Sequence, residues 1–130
     1  MIAFDSSALA KLVIAEAETA ALHAWLADRH AVAWTASALC GVEVVRAVAR
    51  LSPSAVPAAR VLLSGLDLVP VSQTVLDAAA VVGPPGLRGL DAVHLVTALS
   101  LGTALEAFVV YDDRLAGAAR AAGLPVATPA

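Results

Sequence analysis

Ile2-Ala3-Phe4-Asp5-Ser6-Ser7-Ala8-Leu9-Ala10-Lys11-Leu12-Val13-Ile14 is the stretch on which the fold turns. The apolar triplet reads as a short buried strand. Asp5 and the serines end it, and Ala8 to Ile14 continues as a helix with serine as the expected N-cap. The same alternation repeats outward. Glu18 to Asp28 carries Leu22, Trp25 and Leu26 at helical spacing. Ala31 to Trp34 reads as a strand, and Thr35 or Ser37 then caps a long helix to about Leu51. Ser52-Pro53 breaks that helix, and Pro57 to Gly65 forms the next, with proline in its first turn. Leu66 to Val71 alternates like a strand, with Pro70 marking an edge. Ser72 to Val82 is helical, Gly83-Pro84-Pro85-Gly86 is a loop, and Leu90 to Leu101 is a helix with Gly102 past its end. Ala107 to Tyr111 is a strand stopped by Asp112-Asp113. Arg114 to Ala122 is a helix closed by Gly123, and Leu124 to Ala127 is a last strand before a tail expected to fray after Thr128. Strands alternating with helices predict an α/β fold: a central, mostly parallel sheet with helices on both faces.

Composition bounds the rest. The 130 residues are expected to form one domain spanning 1–130, large enough to fold without a disulfide or a structural metal. About a quarter of them are alanine, so helices should pack closely on small side chains. The single Cys40 excludes an internal disulfide and a multi-cysteine zinc site. The longest stretch without Asp, Glu, Lys or Arg, Ala92 to Leu105, is shorter than the roughly 20 residues of a membrane span. No basic residue precedes Asp5, which argues against a signal peptide, so a cytoplasmic protein is expected. A net charge of −3 argues against a tight non-specific nucleic-acid binder. A hydrophobic content of 60% calls for a partner surface.

Four carboxylates draw attention. Asp5 and Asp112 each stand where an apolar strand stops, the edge at which open α/β sheets bind ligands; each also suits a turn or helix cap. Glu43 lies in a helix that is apolar nearly all round, where a buried carboxylate needs a partner or a metal. Arg46 or Arg50 would supply an ordinary ion pair. Asp91 opens a helix, where capping alone would explain it. His94, one turn on, could bond Asp91 or a backbone group, as a structural histidine does, or ligate a metal. His23 and His30 have no evident partner. Four carboxylates that converge repel, at about 4 kcal/mol for two charges 4 Å apart at an effective dielectric of 20. A hard divalent cation relieves this, and all-oxygen ligation suits Mg²⁺ or Mn²⁺.

These residues resemble a known family. Asp5-Ser6-Ser7-Ala8-Leu9 is similar to the opening D-[ST]-[ST]-A-L of PIN domains, especially VapC-type toxins. Ser37 through Glu43 to Arg46-Ala47 resembles their S-x-x-x-x-x-E-x-x-R-A helix. Leu90-Asp91-Ala92-Val93-His94-Leu95 through Leu99 resembles their D-A-x-H-L helix. Tyr111-Asp112-Asp113-Arg114-Leu115, Ala118-Ala119 and Gly123-Leu124-Pro125-Val126 resemble their closing block.

The resemblance implies an α/β/α sandwich and a Mg²⁺-dependent endoribonuclease, the toxin of a type II toxin–antitoxin pair. Carried over position by position, the acidic quartet falls on Asp5, Glu43, Asp91 and Asp112, as catalytic residues and metal ligands. Ser7 matches a small hydroxyl residue beside the first Asp, and Asp113 is peripheral. Asp5 and Asp91 would anchor the ion, with Mn²⁺ as a substitute, while Glu43 and Asp112 complete the shell. Val110 stands where the family usually has Thr or Ser, which bears on a second metal position. Water as the nucleophile implies 5′-phosphate and 3′-hydroxyl products. Lys11, Arg46, Arg50, Arg88 and Arg114 are candidate phosphate contacts. The implied partners are an RNA substrate, a small antitoxin reaching the acidic pocket with a basic side chain, and a second copy in a homodimer. Leu12, Val13, Leu22, Trp25 and Val56 to Leu63 are candidate contact surfaces. Two other classes compete: a PIN-like binding module that has lost cleavage, with Val110 as its symptom, and a phosphoacceptor domain. The latter needs a lysine late in the chain, and Lys11 is the only lysine.

Overall fold

The β-branched and aromatic runs form strands and the alanine-rich segments between them form helices. The computed structural model describes every residue, Met1–Ala130. In chain order the elements are β1 (Ile2–Phe4), α1 (Ser6–Lys11), α2 (Thr19–Ala27), β2 (Trp34–Ser37), α3 (Cys40–Leu51), α4 (Val56–Ser64), β3 (Asp67–Val69), α5 (Gln73–Val81), α6 (Gly89–Ser100), β4 (Ala107–Val109), α7 (Asp113–Ala121) and β5 (Val126–Ala127). The sheet has five strands in the order β3-β2-β1-β4-β5, and every neighbouring pair is parallel. "Mostly parallel" thus becomes all parallel, and β3, with Pro70 just past it, is an edge strand as expected.

Alternate strand residues feed two cores. Ile2, Phe4, Ala36 and Val109 pack with Leu9, Leu22, Val44, Val48 and Leu63, which belong to α1 to α4. Ala3, Phe108 and Val110 pack on the other face with Leu95 of α6 and Leu115 and Ala119 of α7. The result is an α/β/α sandwich. Fully burying one such Leu or Phe contributes about 1.5–3 kcal/mol. A small cluster of Val75, Val93 and Val96 seats α5 on α6. Glycine ends two segments where the backbone turns left-handed, at Gly102 (φ 53°) and Gly123 (φ 85°).

Several local expectations are corrected. The N-cap of α1 is Asp5, whose side chain accepts the Ala8 N–H, while Ser6 is already helical. β2 starts at Trp34, so Thr35 and Ser37 lie in a strand and do not cap a helix. The Thr35 hydroxyl instead donates to the Asp67 carbonyl at 2.7 Å, and α3 begins without a side-chain cap. α3 is not apolar all round. Cys40, Val44 and Val48 are buried, whereas Val42, Arg46 and Arg50 face solvent. The tail is tied down: Tyr111 Oη donates to the Pro129 carbonyl and Thr128 Oγ1 to the Val110 carbonyl.

The strand order positions the site. From β1 the chain runs to β2 and β3 on one side, then returns to β4 and β5 on the other. Ligands of open parallel sheets bind outside the strand carboxyl ends at such a reversal. Here that point lies between β1 and β4, and the Asp5 N–H donates to the Val109 carbonyl across it at 3.2 Å.

Candidate functional site

Asp5 leaves β1 directly into this crevice. Its residue is only 4% exposed, and its carboxylate accepts from Ser7 Oγ, 2.8 Å from both oxygens, and from the Ala8 N–H at 2.9 Å. All of these donors are neutral. Burial raises the Asp5 pKa to about 6; the hydrogen bonds from Ala8 and Ser7 and the more distant field of His94 pull it down, and the Asp112 charge adds to the rise. A buried carboxylate with no bonded cation is costly.

Asp112 follows β4 and caps α7, its Oδ1 accepting the Leu115 N–H at 2.9 Å. Its Oδ2 lies 3.7 Å from Nη2 of Arg88. Asp91 sits in the first turn of α6 and does not cap it. The N-cap is Arg88, whose Nε donates to Asp91 Oδ2 at 2.9 Å. Asp113 is exposed at the start of α7.

Glu43 is bound neither to Arg46 nor to Arg50. Ser6 Oγ donates to its Oε1 at 2.7 Å, and His94 Nε2 lies 2.5 Å from the same oxygen. Burial alone would raise the Glu43 pKa, but the His94 and Ser6 contacts outweigh it and hold the carboxyl below its usual range. Burial likewise works against charge on His94, yet the adjacent Cys40 and Glu43 raise its pKa above the ordinary histidine value. His94 Nδ1 is buried without a hydrogen-bond partner, so the ring is committed to Glu43 and not to Asp91 or the backbone. Ser6 was absent from the candidate residues. Its signal was present in the sequence: one residue past a strand-ending Asp, it shares the turn that aims Asp5.

The four carboxylates thus share one neighbourhood. Asp5 and Asp112 feel each other's charge, Arg88 joins Asp112 to Asp91, and Glu43 and Asp91 line one pocket of about 370 Å³ with Arg88, Gly89 and Leu90. They do not form a ready-made cage, because no three His, Cys, Asp or Glu side chains lie within joint reach of a single ion. Like charges repel, and a guanidinium stands between two of them. The donor chemistry still fits a hard cation. The donors are carboxylate oxygens, and the most buried of them, on Asp5, lacks a bonded counter-charge.

The profile of the PIN domain family matches residues 2–121, nearly the whole of the chain. The chain belongs to the PIN domain family. Within it the VapC proteins are close: the chain is 43% identical over 132 residues to "Ribonuclease VapC47" of Mycobacterium tuberculosis (strain CDC 1551 / Oshkosh), covering 99% of this PIN domain and 97% of the relative. It is 44% identical over 125 residues to "Ribonuclease VapC46" of M. tuberculosis (strain ATCC 25618 / H37Rv), covering 96% and 95%. The crystal structure of M. tuberculosis VapC20, described as a sarcin-ricin loop cleaving toxin, superposes with a TM-score of 0.79 at 17% identity, over 99% of this chain and 100% of that one, and shares the fold.

Two candidate roles are corrected. Lys11 is buried and bonded to Glu16 at 2.7 Å and Glu18 at 2.9 Å, so it is no free phosphate contact. Of the candidate contact surfaces, Leu22, Ala59 and Leu63 belong to the core, while Val61 is 72% exposed.

Proposed function

We propose that this PIN domain is the RNA-cleaving toxin of a type II toxin–antitoxin pair, a Mg²⁺-dependent endoribonuclease. One observation carries the reading: Asp5, a buried carboxylate with only neutral donors, leaves β1 at the reversal point of the sheet, within reach of the charge of Asp112. The kinship with VapC ribonucleases supports it. Asp5 and Asp91 would hold the ion, with Glu43 and Asp112 completing its surroundings. Bound there, Mg²⁺, or Mn²⁺ in its place, supplies a Lewis acid that offsets phosphate charge and lowers the pKa of water. The protein contributes orientation. Ser7 and the Ala8 N–H fix the Asp5 rotamer, and Ser6 with His94 keeps Glu43 ionised and aimed. Neither His94 nor a serine is the nucleophile in this reading, because His94 is spent on Glu43. The products carry 5′-phosphate and 3′-hydroxyl ends.

The same reading names the partners: RNA as substrate, a small antitoxin that blocks the acidic pocket, and a second copy in a homodimer, all in the cytoplasm. No helix is long and apolar enough to cross a membrane. The test is RNA hydrolysis by the purified chain with Mg²⁺ or Mn²⁺. Cleavage that stops in excess EDTA and returns with either ion supports the proposal, and cleavage undiminished by EDTA overturns it.

A further inference from the structure

Arg88 holds the N-terminal end of α6, just past the Gly83 to Gly86 loop. Its side chain is 67% exposed, so packing does not hold it in place. What holds it is charge. Nε bonds Asp91 Oδ2 at 2.9 Å, and Nη2 lies 3.7 Å from Asp112 Oδ2. The negative charge of Glu43, across the same pocket, also acts on it. One guanidinium therefore pairs with two of the four carboxylates that the proposed metal would need and feels the charge of a third.

A divalent ion held by Asp91 and Asp112 would compete with the guanidinium for their negative charge and repel it, and an exposed ion pair resists this only weakly. A displaced Arg88 remains tethered at the rim of the pocket. Its planar fork of donors matches a phosphate better than an ammonium does.

We propose that Arg88 is the resident counter-ion of the site, which gives up Asp91 and Asp112 to the divalent ion and then binds a phosphate of the RNA strand. This rests on the metal-dependent reading above, and the experiment separates the two. Mn²⁺ affinity is measured by calorimetry on the purified chain and on Arg88→Gln and Arg88→Lys, with thermal melts confirming folding. RNA hydrolysis by each is measured at saturating Mn²⁺. Arg88→Gln should bind Mn²⁺ about 3- to 10-fold more tightly, because its competitor is gone. It should nevertheless cleave roughly 10-fold more slowly or worse in kcat/KM, because a charge-assisted phosphate contact is lost. Arg88→Lys should keep Mn²⁺ affinity close to wild type but recover cleavage only in part.

These opposite signs are what a merely structural role would not produce. Equal Mn²⁺ affinity in all three proteins overturns the assignment of Arg88 and leaves the metal reading standing. Tighter Mn²⁺ binding with undiminished cleavage by Arg88→Gln removes the phosphate half. Failure of Mn²⁺ to bind any of the proteins overturns the metal reading, and this inference with it.

Discussion

Lys11 and Asp5 sit at opposite ends of α1, and both are buried. Lys11 is closed off: Glu16 and Glu18 bond its ammonium, and the Tyr111 ring lies 4.7 Å from it. Asp5 receives a hydroxyl and an amide but no bonded cation, and a second carboxylate stands nearby. One helix therefore ends in a compensated charge and begins with an uncompensated one. The fold satisfies a buried charge at Lys11 but leaves Asp5 short of a cation, and the proposed function takes Asp5 as the end kept for chemistry. Glu43 lies between these extremes, since its histidine partner holds it ionised and leaves its other oxygen free of protein bonds.

The contrast can be broken at either end. The largest effect is expected from Asp5→Ala, which should lower Mn²⁺-dependent RNA cleavage by about a thousandfold or more in a single-turnover assay; the same change at Asp113 should be nearly silent. Next comes metal linkage. Mn²⁺ at about 100 times its Kd should raise the wild-type Tm by roughly 10 °C, and Asp5→Ala should abolish the rise. A rise that survives the substitution would place the ion elsewhere.

Then comes pH. A carboxyl raised from 3.8 to about 6 binds its proton more tightly folded than unfolded. Its contribution to stability is therefore complete below about pH 4 and is lost as pH rises through about 6. In chelator, Asp5→Asn should be more stable than wild type at pH 7 by about 1–3 kcal/mol, and the gap should close by pH 4. Urea melts at both values decide it. A comparable cost, about 2–3 kcal/mol, is expected for His94→Ala, which leaves Glu43 half-buried with Ser6 alone. The smallest effect belongs to the compensated end. Lys11→Met should change stability by less than about 1 kcal/mol, because its carboxylate partners are open to water. A loss several times larger would erase the contrast.

Much of this could be read along the chain. The apolar triplets, the Gly-Pro-Pro-Gly loop and the helical spacing of Leu22, Trp25 and Leu26 report local propensity, and the observed elements fall close to where they were expected. The boundaries that moved did so through tertiary pairing. Thr35 and Ser37 look like caps by residue type, yet pairing with β1 and β3 makes them strand. The partner of Glu43 followed the same rule. Arg46 is its neighbour on the helix, but α3 turns Arg46 to solvent and brings Glu43 against His94 of α6.

The sequence by itself determined the α/β alternation, the family, and which acids stand at strand ends, because each depends on residues close together in the chain. The tertiary structure alone decided the strand order and the point of reversal between β1 and β4. It alone also decided that a serine and a histidine, 88 residues apart, grip one glutamate, and that an arginine stands among the acids. Those contacts arise from packing two helical layers onto one sheet, and no local pattern records which side chains that packing makes neighbours.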